Sequence, residues 1–275
     1  MALSLASISK EAVIRAPRIL VLGNEKIGKT SFACGCGFEN GEQVSVGANG
    51  PIVIPVKGEE GVDALKVGKF PTCSTYAGVL EAISVLYKEE HEYRTVVLDS
   101  ASALNPIVED YVCHANGQVD NIRKVKGFKT GEAAVTKCWR VITDSLDVLR
   151  NQKNMATIIV GHTKVRNHKN PEGDDYHVYD MDLDMSEVSE LLKRWADVIL
   201  FANNKVVVKK EGEDSTFSKA KRVANDVTGG KRFLFTKKTP SHPGGGRDIY
   251  GHLPYEMELN WPVFQAAVAE AAKKS

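Results

Sequence analysis

The stretch Arg18-Ile-Leu-Val-Leu-Gly23-Asn24-Glu25-Lys26-Ile27-Gly28-Lys29-Thr30-Ser31 decides the fold. Its first half is a short, unbroken apolar run, the pattern of a strand buried on both faces. Its second half fits G-x-x-x-x-G-K-[ST], and Thr30 onwards starts a helix. The glycines let the backbone curl so that successive N–H groups point inward and cradle anionic oxygens. The N-terminus of the following helix adds favourable dipole charge. In this arrangement Lys29 reaches the β- and γ-phosphates of a nucleotide such as ATP, and the Thr30 hydroxyl coordinates Mg²⁺. Residues Gly23, Asn24, Glu25, Lys26, Ile27, Gly28, Lys29, Thr30 and Ser31 together form the candidate nucleotide cradle.

Working outward, four more runs resemble buried parallel strands: Ile52–Val56, Thr95–Leu98, Ala156–Val160 and Asp197–Ala202. Helical patterns lie between them. Val79, Leu80, Ile83, Leu86 and Tyr87 make one face of a helix that Ser74 is placed to cap. Val135, Cys138, Ile142, Leu146 and Leu149 make a second helix, ending near Arg150. A third runs from about Glu187 to Ala196, with Asp184 and Glu187 at capping-box spacing. This alternation predicts an α/β fold with a mostly parallel central sheet flanked by helices. After Phe201 the pattern changes. Lys205–Lys210, Lys219–Val223 and Arg232–Lys238 read as short antiparallel strands, a small β extension on the C-terminal side. A Gly/Pro-rich turn and a helix started by Pro262 follow. The expected organisation is one core over residues 18–260, including the extension at 203–250. Residues 1–17 are a flanking segment available for subunit contact, and 261–275 a C-terminal helix and tail.

Three strand ends carry further chemistry. Arg94-Thr-Val-Val-Leu-Asp99-Ser100 is an apolar strand ending in an acid, where Asp99 would hold the Mg²⁺ shell opposite Thr30. A strand-terminal Asp also serves as a helix cap; the phosphate loop selects the nucleotide role. Glu59 and Glu60 lie just past the second strand, at the edge where open α/β sheets bind ligands. Either is a candidate to orient the attacking water, or a solvated surface acid. His162 ends the fourth strand, placed to bond the γ-phosphate or to be an ordinary loop histidine. Cys34-Gly-Cys36 has no second Cys/His pair at matching spacing, so buried thiols are expected rather than a metal site.

The chain has 275 residues, 43% hydrophobic and 26% charged, with 36 basic and 35 acidic side chains for a net charge of +1. That hydrophobicity and charge exclude intrinsic disorder. No run approaches the ~20 apolar residues that span a bilayer. The N-terminus lacks the basic start and apolar stretch of a secretory signal. Five cysteines without framework spacing suit a reducing compartment. The near-neutral total hides segregation. Residues 121–130 hold Arg123, Lys124, Lys126 and Lys129 and no acid; residues 172–190 hold eight acids and no Lys or Arg. Residues 201–240 carry ten basic and four acidic residues.

Together these strand ends resemble the RecA-type ATPase core. Val97-Leu-Asp99-Ser100-Ala-Ser-Ala-Leu104 resembles its Walker B segment, and Leu149 to His162 its helix–strand–sensor unit. Glu59-Glu60-Gly61, Gly127-Phe-Lys-Thr-Gly131 and Tyr250-Gly-His-Leu-Pro254 are similar to motifs of short phage-encoded RecA-like ATPases of the single-strand annealing and recombination type. The resemblance covers roughly residues 17–260. It implies Lys29 and Thr30 on nucleotide and magnesium, Asp99 as metal acid, Glu59 as preferred base with Glu60 as alternative, and His162 at the sensor position. Many relatives carry Gln there. It implies two DNA-binding loops: the first over about 114–131, with Arg123, Lys124, Lys126 and Lys129. The second is an irregular segment Lys164–Asp182, where Lys164, Arg166, His168 and Lys169 would meet phosphates and Tyr176 and Tyr179 would stack on bases. Lys237 and Lys238 are the candidates to reach a neighbouring subunit's phosphate.

The resemblance thus implies an ATP- and Mg²⁺-dependent protein of a bacterial host's cytoplasm. It would bind single-stranded DNA, self-associate into a filament or ring, and work beside a single-stranded DNA-binding protein, with no membrane partner. Two other functions fit the same core: a ring-helicase motor, and a nucleotide-switched interaction protein that binds no DNA.

Overall fold

The computed structural model describes residues 15–36, 38–39, 42–43, 50–211, 221–226 and 229–274. The chain runs β1 (Arg18–Gly23), α1 (Lys29–Ala33), a short pair β2 (Phe38–Glu39) and β3 (Glu42–Gln43), then β4 (Pro51–Pro55) and β5 (Gly68–Lys69). Next come α2 (Tyr76–Lys88), β6 (Thr95–Asp99), α3 (Ala101–Ala115), α4 (Thr130–Lys153), β7 (Ala156–His168), β8 (Tyr176–Met181), α5 (Ser186–Trp195) and β9 (Val198–Asn204). The last part holds β10 (Val206–Glu211), β11 (Lys221–Asp226), β12 (Arg232–Phe235), β13 (Gly245–Gly246), β14 (Glu256–Glu258) and α6 (Trp261–Ala272). The subunit contact expected of the N-terminal segment falls mainly on residues 1–14, outside the described residues.

The expected α/β architecture is present. A ten-stranded, mostly parallel sheet has the order β14-β12-β9-β1-β7-β6-β4-β5, with β13 on β9 and β8 on β7. β1 lies between β7 and β9, parallel to both. Both its faces are covered. Leu20 and Leu22 share a core with Val79 and Ile83 of α2, Leu104 of α3, Trp139 and Ile142 of α4 and Leu192 of α5. Ile19 and Val21 point the other way, into a core with Phe32 of α1 and Phe264 of α6. The period of two thus sends alternate residues into different cores. Each such buried side chain contributes roughly 1.5–3 kcal/mol.

Several local expectations are corrected. Thr75, not Ser74, caps α2, its hydroxyl accepting from the Gly78 N–H at 3.0 Å. Asp184 and Glu187 form no capping box: Met185 is the cap residue of α5 and makes no side-chain bond, while Asp184 accepts from Lys164. α3 has no counterpart among the expected helices. It carries Pro106 inside, and its start is fixed by the Ser100 hydroxyl accepting from the Ala103 N–H. The segment from Lys164 to Asp182 is irregular only around 169–175. β7 continues to His168 and pairs antiparallel with β8. Of the extension, β10 and β11 pair antiparallel as a separate two-stranded sheet, while β12 joins the main sheet antiparallel to β9. Lys219 lies outside the described residues.

At the sheet edge away from the phosphate loop, Arg18 clasps Asp197 at 2.8 Å and Asp147 at 3.3 Å, and Arg150 meets Asp197 at 3.0 Å. The arginines tie β1, α4 and the start of β9 together. No helix among the described residues is long and apolar enough to cross a membrane.

The Gly127-Phe-Lys-Thr-Gly131 motif is a steric device. A Cβ on Gly131 would lie 2.0 Å from the Ile122 carbonyl oxygen, so α4 starts hard against the backbone of the preceding turn. Gly131→Ala is expected to destabilise the protein by roughly 1–3 kcal/mol in urea unfolding, through overpacking. Phe128→Ala, at a residue 93% exposed, should stay within about 0.5 kcal/mol of wild type. Equal stabilities for the two variants would contradict this.

Candidate nucleotide-binding site

The site forms where parallel strands end together. Register places His162 directly beside Gly23, and Asp99 beside Pro55. Gly23 ends β1, and the loop turns through Lys26 and Gly28 at φ 56 and 102 before α1 begins. Gly28 holds a left-handed conformation that a side chain would disfavour.

Lys29 is 4% exposed. Its ammonium donates to the carbonyls of Gly23 at 3.0 Å and Asn24 at 2.7 Å, and lies 3.2 Å from His162 Nδ1. Burial pushes this lysine down to about 8, against the attraction of Asp99 and Glu59. On the other side of the imidazole, Nε2 lies 2.7 Å from Glu59 Oε1. With an ammonium donating to Nδ1, the neutral tautomer carrying its proton on Nε2 satisfies both contacts. Ser100 Oγ donates to the same Glu59 oxygen at 2.7 Å. The His162 bond, with help from Ser100, holds the Glu59 carboxyl below the usual range despite burial. Glu60 is exposed and its side chain joins no such network among the described residues. The Asp99–Ser100 peptide bond is cis.

Thr30 donates its hydroxyl to Asp99 Oδ2 at 2.7 Å. Burial pushes Asp99 up to about 6, against that bond. One hydroxyl and one buried carboxylate are hard oxygen donors, the set magnesium takes from a protein when phosphates and water supply the rest. The described residues hold no group of three or more His, Cys, Asp or Glu able to bind a metal unaided. The donor pair therefore fits a metal shared with a nucleotide.

The loop is also braced from its flanks. Asn24 accepts from Thr163 of β7 at 3.1 Å and donates to Asn203 of β9 at 3.3 Å. Arg232, first residue of β12, donates from Nη1 to the Ile27 carbonyl at 3.1 Å.

Comparison with known families adds an independent finding: the AAA domain family matches residues 15–247. The chain belongs to that family. Membership makes this a P-loop ATPase-type domain, a nucleotide-binding protein. No curated protein matches the chain.

The remaining predicted residues of this AAA domain lie apart from the loop. Arg123, Lys124, Lys126 and Lys129 are exposed on a segment anchored by buried Ile122 and Val125. Lys124 pairs with Asp120 at 2.5 Å, and Lys129 lies 3.7 Å from Glu187. The antiparallel hairpin of β7 and β8 differs. Lys164 meets Asp182 at 2.7 Å and Asp184 at 3.0 Å, and Lys169 meets Asp175 at 2.6 Å. Arg166 lies 3.8 Å from Asp180 and donates to the carbonyls of Met181 and Leu183. His168 packs on Tyr176 with ring centroids 4.9 Å apart, and Tyr179 packs on Phe201 at 5.2 Å. The acids of 172–190 thus return alongside the hairpin's own cations. Lys237 donates to the Gly251 carbonyl of its own chain, and Lys238 is exposed. β12 runs antiparallel to β9, so its first residue, Arg232, comes to the phosphate edge and its lysines lead away from it. Arg232 was absent from the sequence-derived candidates; the antiparallel pattern from Arg232 onward was its signal. Cys34 and Cys36 are both buried.

A nucleotide with magnesium needs Asp99 as carboxylate and Lys29 as ammonium. With Asp99 pushed up to about 6 and Lys29 down to about 8, both charges coexist between those values. Binding of ATP with Mg²⁺ is expected to weaken below about pH 6, as Asp99 protonates, and above about pH 8, as Lys29 loses its proton. Calorimetric titrations across that window check this, and a flat profile contradicts it.

Proposed function

We propose that this AAA-family chain is a Mg²⁺-dependent ATPase whose nucleotide state controls a single-stranded DNA contact, acting as an oligomer in RecA-like annealing or recombination. The observation that carries the proposal is the bonded path Lys29–His162–Glu59–Ser100. His162 is at once part of the phosphate site and the residue from which the β7–β8 hairpin springs.

Each side chain then has a task. Lys29 exchanges its carbonyl partners for phosphate oxygens, and the loop amides hold the rest of the phosphate chain. Thr30 and Asp99 would hold magnesium, which would supply positive charge against the phosphate oxygens. Glu59 orients water. Both of its donors converge on Oε1, so Oε2 remains the acceptor for a water proton. Its lowered pKa keeps it a carboxylate at neutral pH. His162 positions Glu59, and any change in its bond to Lys29 passes to Thr163 and Lys164, next along β7. The exposed cations Arg123, Lys124, Lys126 and Lys129 fit a phosphate backbone without breaking an internal core.

A second proposal, a nucleotide-switched interaction protein without DNA binding, is favoured by one observation: the hairpin's cations are neutralised by its own acids. Turnover with and without single-stranded DNA separates the two. DNA-stimulated hydrolysis is expected, with oligonucleotide affinity falling steeply with salt. Lys29→Ala should abolish nucleotide binding. His162→Ala should keep nucleotide binding within roughly tenfold and lose the stimulation by DNA. Negligible oligonucleotide binding at low salt, with turnover unchanged by DNA, selects the second proposal.

A further inference from the structure

The two flanks of the phosphate loop are chemically unlike. On the β7 side, Lys29 faces His162, Glu59 and Asp99, the groups that serve the terminal phosphates. On the opposite side of β1 lie β9 and then β12. From there Arg232 reaches over the loop. Its Nη1 donates to the Ile27 carbonyl at 3.1 Å and lies 2.7 Å from where a Cβ of Gly28 would stand. Leu259 is its neighbour: the Leu259 N–H donates to the Arg232 carbonyl at 2.9 Å, and Leu259 Cδ2 lies 3.8 Å from that same Cβ position. Nε and Nη2 of Arg232 make no hydrogen bond among the described residues, and the residue is exposed.

A nucleotide whose γ-phosphate lies toward Lys29 and Glu59 has its nucleoside toward the other flank, because the phosphate chain is laid along the loop. We infer that Arg232, backed by Leu259, forms the nucleoside-side wall of the site, the guanidinium plane lying against the base of a nucleoside 5′-di- or triphosphate. A planar cation beside an aliphatic side chain suits an aromatic ring, through stacking and cation–π attraction. The inference rests on nucleotide binding by the loop and adds a residue serving the base rather than the transferred phosphate. The direction of β12 makes it possible: a parallel strand would have placed its last residue, not Arg232, at this edge.

Arg232 also holds the loop through Ile27, and the test separates that role from base contact. Calorimetry on the whole chain compares ATP, ADP and inorganic tripolyphosphate for wild type, Arg232→Ala and Arg232→Gln. The glutamine amide retains a donor for the Ile27 carbonyl but carries no cation. Both variants are expected to weaken ATP and ADP by roughly tenfold, and the glutamine variant, which keeps the loop contact, to leave tripolyphosphate within about twofold. Equal weakening of tripolyphosphate and nucleotides in the glutamine variant would show that Arg232 only shapes the loop, and overturn the inference. So would unchanged nucleotide affinity in both variants, or a glutamine variant that binds nucleotide like wild type. A wild-type chain that binds tripolyphosphate but neither nucleotide also overturns it. Failure to bind any of the three ligands instead counts against nucleotide binding by the loop.

Discussion

A buried ammonium organises this molecule. An unpaired charge away from water is costly, so Lys29 at 4% exposure requires partners, and its partners are the surrounding strand ends. Two are carbonyls of its own loop, and the third is the imidazole that ends the buried part of β7. That imidazole in turn holds Glu59, which the Ser100 hydroxyl also holds. One charge thus links β1, β7, the segment after β4 and the start of α3. These elements meet because β1 is covered on both faces and sits in the middle of the parallel sheet, with the strands on either side running parallel to it toward the same edge.

The charge distribution acquires a different meaning in three dimensions. A net charge of +1 comes from basic and acidic stretches well separated in sequence. Folding brings many of them together again. Arg150 turns inward to Asp197, and the hairpin places Lys164, Arg166 and Lys169 beside Asp182, Asp184, Asp180 and Asp175. The basic segment 121–130 differs because it is held by only two buried residues, Ile122 and Val125, and its cations project outward. A run of like charge therefore says little about the surface until its partners across the fold are known.

Legibility followed the range of the interactions involved. The phosphate loop, the five parallel strands and the place of Asp99 at a strand end were legible because local rules govern them: a glycine pattern, an apolar run, an acid closing such a run. The hairpin was not, since its alternation is carried by polar residues whose stabilising partners arrive a dozen positions later. α3 was obscured by Pro106 and a mixed composition, though Ser100 caps it. Thr75 rather than Ser74 caps α2 because the capping hydroxyl must sit three residues before the Gly78 N–H, a difference of one residue that composition does not resolve. Glu59 and Glu60 differ in surroundings: Glu59 bonds His162 and Ser100, and Glu60 is exposed.

The sequence by itself determined that a phosphate-binding turn follows a buried strand, and hence an α/β nucleotide-binding core. That information lies within about fourteen consecutive residues, where backbone geometry depends mainly on local glycines and apolar patterning. Only the tertiary structure decided which distant side chains attend the loop. It joined His162 to Glu59 across 103 positions, turned the hairpin's cations onto its own acids, and brought Arg232 to the loop while Lys237 faced inward. Strand order, register and direction set these contacts, and they emerge when both faces of the sheet are covered at once.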